Sequence, residues 1–256
     1  MPLTATRRLY WQDDYCFSAA ATVLAIDGQR VLFDQTPFFP GGGGQPPDAG
    51  WFCLPGGESI PLASAQAGED GLIWHASAAP LAASLAGQPV RLWLNGPRRL
   101  ALMRYHTALH VLNTVTLRDY DGWITGVQMA EAYARIDFKL EGLSPARCAD
   151  LATKVNTVLA ADHPLRAYFL PEAEFRQRPD LLRTLEARPP VVDGQVRVVE
   201  ITGFEQQPCG GTHVRSTAAV GHFAILRSEN KGKINKRLYV RLEDGASPGV
   251  WPPGHR

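Results

Sequence analysis

From Arg98 to Asp121 the chain carries neither proline nor glycine, in a sequence that holds 20 prolines and 24 glycines. Such a stretch has little choice but to be a long helix. Asn95-Gly96-Pro97 ahead of it is a turn signal, and Pro97 suits a first helical turn, where its missing N–H is needed by no one. At about 100° per residue, Ala101, Tyr105, Ala108, Leu112 and Val115 form one stripe. Met103, His106, His110, Thr114 and Leu117 lie on roughly the opposite side. A helix with two such faces is expected between a core and a cleft.

The rest of the chain divides around this helix. Residues 1–96 read as strands: "SAAATVLAIDGQRVLFDQTPFFP", "GWFCLPGG" and "QPVRLWLNG" are rich in β-branched and aromatic residues and broken by turn signals such as Asp27-Gly28. After the long helix, "SPARCADLATKVNTVLAAD" reads as a second helix, with Ser144 as N-cap and Pro145 at the first position. A shorter third is expected in "PEAEFRQRPDLLRTL". Strands follow in "VRVVEI", "GHFAILRSEN" and "KRLYVRL", and the tail from Gly245 reads as loosely ordered.

Bulk properties narrow the function. Of 256 residues, 45% are hydrophobic and 20% charged, with a net charge of +1, so a nucleic-acid surface has to be a local patch. No apolar run approaches membrane-spanning length, and the N-terminus lacks the apolar core of a secretory signal. Cytoplasm is therefore the expectation, with Cys16, Cys53, Cys148 and Cys209 free or metal-bound rather than disulfide-paired.

His106 and His110, spaced i, i+4, project from one helical face and can converge on one ion about 2 Å from each nitrogen. Alone, the pair fits a core or surface position equally well. In "QQPCGGTHV", Cys209 and His213 add a thiolate and a third imidazole, and Gly210 and Gly211 permit the tight loop a chelating C-x3-H needs. Three histidines and one cysteine make a plausible zinc set. The helix motif reads H-T-A-L-H rather than H-E-x-x-H. The glutamate that acts as general base in zinc proteases is missing, which disfavours peptide hydrolysis and leaves an activated ester within reach.

"RYHTALHVL" taken with "VRVVEITGFEQQPCGGTHV" closely resembles the editing domain of alanyl-tRNA synthetase and its stand-alone relatives, the medium-length alanyl-tRNA editing proteins. The likeness continues through "ITGVQMAEAYARIDF" and covers roughly residues 1–240. It implies a trans-editing hydrolase that deacylates mischarged alanine-specific tRNA, chiefly seryl- and in some members glycyl-tRNA. It places the zinc ligands on His106, His110, Cys209 and His213. The implied fold is α+β: an N-terminal β-barrel module over residues 1–96, then a zinc-containing editing domain over 97–256. At this length no synthetase catalytic core is expected. The glycine-rich "FFPGGGGQPPDAG", with Gly41, Gly42, Gly43 and Gly44, lacks the G-K-[ST] of a phosphate loop and reads as a flexible hairpin loop. By resemblance it marks the barrel module and helps shape the site.

Thr107, Gln128 and Thr212 are candidates for contacting serine or water. The two threonines serve equally well as local hydrogen-bonding groups, and Gln128 rests on the resemblance. In "ILRSENKGKINKRLYVRL", Arg227, Lys231, Lys233, Lys236, Arg237 and Arg241 form a basic strip expected to meet tRNA phosphates, with Arg98, Arg99 and Arg104 as additions. Phosphate contacts confer affinity, not tRNA identity. No membrane association and no obligate protein partner is expected. Two rivals share these features: a zinc-stabilised tRNA-binding module without catalysis, and a deacylase of another mischarged tRNA, such as seryl-tRNA specific for threonine.

Overall fold

The computed structural model describes residues 5–182, 189, 191–232 and 234–243. These separate into two compact units. The first takes in the described residues up to Gly42 and Pro46–Arg99, and the second takes in Gly43–Gln45 and the described residues from Leu100 on. The division thus falls inside the long helix, and the second unit includes three residues of the glycine-rich loop.

The first unit is built on a closed barrel. Its strands are β1 (Ser18–Asp27), β2 (Arg30–Phe33), β3 (Gly50–Cys53), β4 (Ser59–Ala67), β5 (Ile73–Ser77) and β6 (Pro89–Leu94). They close in the order β1-β2-β5-β4-β3-β6, which leaves no open edge. Alternate residues point inward, and Val23, Val31, Phe33, Phe52 and Leu92 fill the interior. Asp27 pairs with Arg30, so the β1–β2 turn falls where the Asp-Gly signal puts it.

Arg99 belongs to this unit and is 0% exposed. Its Nε lies 3.0 Å from each carboxylate oxygen of Asp48, and its remaining nitrogens donate to the carbonyls of Asp14 and Pro37. Asp48 also accepts the Phe39 N–H at 2.7 Å. A buried guanidinium survives only with such full pairing. Arg99 is therefore withdrawn from any phosphate-binding surface.

The second unit is mixed α+β. Helix α1 (Gly96–Tyr120) enters it at Leu100; at the helix start Asn95 Oδ1 accepts the Arg98 N–H. Leu102, Met103, Ala108, Leu109, Val111 and Val115 are all buried, so the helix is enclosed on every side rather than along one stripe. One sheet runs β12 (His222–Asn230), β13 (Asn235–Glu243), β8 (Ala134–Lys139), β7 (Trp123–Met129). Its inner face buries Ala134, Ile136, Phe138, Leu238 and Val240.

Helix α2 (Pro145–Ala160) begins at Ser144, whose side chain accepts the Arg147 N–H, with Pro145 at the first position as expected. Asn156 pins it to β12 by bonding both the N–H and the carbonyl of Phe223. A second sheet is centred on β10 (Gln195–Ile201), which pairs with β9 (Leu165–Pro171) and with β11 (Glu205–Pro208).

The third helix expected after Pro171 is a single turn, Glu172–Phe175, followed by a 3-10 turn at Pro179–Leu181. Strand β9 ahead of it buries only Leu170, so it offers no alternating pattern to read. The tail from Gly245 lies outside the described residues.

Candidate metal centre

Successive turns of α1 carry His106 and His110, and the loop after β11 carries Cys209 and His213. One ligand atom from each of the four can be chosen so that all lie within 4.8 Å of one another. The histidines are buried and Cys209 is partly so. Cys209 Sγ sits 3.4 Å from His106 Nε2 and 3.3 Å from His213 Nε2. Tetrahedral zinc with ordinary bond lengths puts sulfur and nitrogen ligands about 3.6 Å apart, so the group fits a single four-coordinate ion.

The other nitrogen of each ring faces outward to its own partner. His106 Nδ1 is 2.8 Å from Gln45 Oε1, His110 Nδ1 is 3.2 Å from Glu205 Oε1, and His213 Nδ1 is 3.1 Å from Thr107 Oγ1. With every Nδ1 turned outward, the Nε2 atoms are left for the centre. This is how protein scaffolds orient metal-binding imidazoles. The loop is held as firmly: Arg197 Nη1 donates to the carbonyls of Cys209 and Gly211, at 3.0 and 2.8 Å.

The four groups shift one another's protonation strongly. Burial opposes the Cys209 thiolate, but the imidazoles of His106, His213 and His110 outweigh it and hold the thiol well below its usual range. Burial also opposes charge on His110. The thiolate and Glu205 overcome that and lift it to about 9. Burial and the neighbouring imidazoles push His213 well down. The thiolate form that binds metals is thus the favoured one.

The protein known as alanyl-tRNA editing protein AlaX-M from Saccharolobus solfataricus is 33% identical over 238 residues, 93% of this chain and 99% of that protein. This chain belongs to the alanyl-tRNA editing protein family. The AlaX-M protein of Methanosarcina mazei is 32% identical over 249 residues, 94% of this chain and 98% of its own length. The alanine--tRNA ligase of Korarchaeum cryptofilum is 36% identical over 245 residues, 94% of this chain but 26% of the ligase. A family model described as the threonyl and alanyl tRNA synthetase second additional domain matches residues 196–239.

Within this editing protein the remaining candidates are placed unevenly. Thr107 and Thr212 are both fully buried around the cluster and both engaged: Thr107 Oγ1 accepts the Val214 N–H as well as meeting His213, and Thr212 Oγ1 accepts from Gln45 Nε2 at 2.8 Å. Gln128 is exposed on β7. Gly44 lies beside that strand, its carbonyl accepting the Met129 N–H.

The basic strip is largely neutralised. Arg227 and Lys231 both pair with Glu229, Arg237 grips Asp137 through two nitrogens, and Arg241 pairs with Glu243. Lys236 is turned inward, 6% exposed, with its ammonium on the Gly232 carbonyl, so it drops out of an exposed strip. Lys233 lies outside the described residues. Arg104 donates to the Val220 carbonyl and Arg98 to that of Pro47. Among the described residues no helix is long and apolar enough to cross a membrane.

Three further residues hold the cluster and its loop by hydrogen bonds: Gln45, Glu205 and Arg197. Gln45 directly follows the glycine run, Glu205 precedes Cys209 by four positions, and Arg197 lies near the start of β10. The only sequence signal for any of them is adjacency to a motif already singled out.

Proposed function

We propose that this chain is a trans-editing aminoacyl-tRNA deacylase that holds one zinc ion on His106, His110, Cys209 and His213 and removes serine from tRNA specific for alanine. The observation that carries the reading is the convergence of that H-x3-H and C-x3-H in a family whose members are named for alanyl-tRNA editing. An N-terminal barrel module and an editing domain from α1 onward are part of it. The cytoplasm, where translation runs, is its place of action.

His106, His110, Cys209 and His213 would hold the zinc, which would supply positive charge and a fixed scaffold beside the ester. The polar side chains around it then orient the ester and the attacking water. Thr212 accepts a hydrogen bond from Gln45, which leaves its hydroxyl proton to donate elsewhere. Thr107 sits beside His213, and Gln128 on β7 is the exposed candidate for the aminoacyl group. A site that satisfies the serine hydroxyl rejects alanine strongly, because its polar groups are then left unpaired. Removal of glycine is a secondary activity on this reading.

A deacylation panel tests the proposal. The zinc-loaded chain should release serine from tRNA specific for alanine and leave alanyl-tRNA largely intact. Seryl-tRNA bound tightly but left intact would favour the non-catalytic RNA-binding module. Equal release from threonine-specific tRNA would overturn the tRNA assignment and keep the chemistry.

A further inference from the structure

The glycine-rich loop carries a side chain into the metal centre, and hydrogen-bonding logic fixes what it does there. The backbone N–H of Thr212 can only donate. It points at one end of the Gln45 amide, at 3.1 Å, so that end is the oxygen, Oε1. His106 Nδ1 lies 2.8 Å from the same oxygen and must therefore carry its proton there. The lone pair of His106 is then on Nε2, the atom that faces Cys209 Sγ at 3.4 Å. The opposite end of the amide, Nε2, donates to Thr212 Oγ1 at 2.8 Å, so three hydrogen bonds lock one rotamer.

We propose that Gln45 is the positioning residue for His106, fixing its tautomer and ring orientation for metal binding, and that the glycine run exists to deliver it. This rests on the zinc reading above. The packing supports it from both sides. A Cβ on Gly211 would lie 2.2 Å from His106 Cε1 and 2.8 Å from Gln45 Oε1, so the ring is held between loop backbone and amide. A Cβ on Gly44, whose φ is +84°, would lie 2.6 Å from the Val127 carbonyl oxygen, so the approach to Gln45 admits only glycine there. His110 and His213 are oriented by Glu205 and Thr107, each close in sequence to a ligand; Gln45 comes from a loop 61 residues before His106.

The test uses the full chain and Zn2+ alone, with affinity measured by competition against a chromophoric chelator and ring geometry followed through the visible spectrum of the Co2+-substituted protein. Gln45→Leu should weaken zinc binding about 10- to 100-fold, the usual loss when an orienting partner of a metal ligand is removed, and should alter the Co2+ spectrum. Gln45→Glu keeps an acceptor for His106 Nδ1 and should stay within about threefold of wild type. Thr212→Val removes the far hydrogen bond only and should behave like Gln45→Glu. Zinc affinity and Co2+ spectrum unchanged in a folded Gln45→Leu chain, or lost equally in Gln45→Glu, would overturn the role. A wild-type chain that takes up no zinc would instead overturn the zinc reading itself, and the role of Gln45 with it.

Discussion

His75 shows what burial does to a single ionisable group. It is fully buried in the barrel, between Phe33 and Phe38, with ring centroids 4.9 and 5.2 Å away. Its Nε2 meets Thr36 Oγ1 at 2.8 Å, and burial drives its pKa from 6.5 down to about 4. The folded value lies below the unfolded one, so the unfolded chain takes the proton first as pH falls. The stability contributed by neutral His75 is complete above pH 6.5 and is lost as the pH drops to about 4. The loss is on the order of 3 kcal/mol. Urea unfolding of wild type and His75→Gln should show the gap between them narrowing by that order from pH 7 to pH 4. A gap that does not change with pH would mean that His75 is not held neutral.

Elements here are positioned by backbone geometry that only certain residues allow. Gly43 and Gly44 both sit at positive φ, +58° and +84°, but a Cβ on Gly43 meets nothing within 4 Å whereas one on Gly44 meets Val127. Gly43→Ala should therefore cost only the left-handed backbone penalty, about 1 kcal/mol. Gly44→Ala adds a clash with the backbone of β7 and should cost at least twice as much, with Gln45 displaced and zinc affinity lowered. Chemical denaturation and zinc competition on the two variants check this; equal effects would mean that the conformation alone, not the approach to Val127, demands glycine.

On the scale of the whole molecule, the net charge of +1 and the pairing of most strip cations leave little free positive charge for a polyanion. On the proposed reading, tRNA affinity then depends on the few cations that can exchange a carboxylate for a phosphate. Lys231, 46% exposed in its side chain, is one. Lys231→Ala should lower the slope of log affinity against log salt by about one, as expected when a single phosphate is no longer neutralised. Lys236→Ala should leave the slope unchanged and lower stability instead, because its stem is packed and its ammonium bonded inside the protein. A Lys236 variant that changes the slope as much as Lys231 would show that the side chain swings out to meet RNA.

What the sequence determined by itself was local. The long helix without proline or glycine, the Ser144-Pro145 cap of α2 and the shared face of His106 and His110 are all set by neighbours within a few positions, and each is readable as such. Strand β9 was not, because a short strand that buries one residue leaves no period to detect. Tertiary structure alone decided which groups meet across the chain. Gln45 reaches His106, Glu205 reaches His110 across 95 positions, and Asp48 draws Arg99 into the barrel unit. It also turned Lys236 inward while leaving Lys231 outside, in a hairpin where both read alike. A side chain's charge and spacing are written in the sequence. Whether it faces water, a carboxylate or a histidine depends on which distant backbone folds against it, and that is settled only when the core closes.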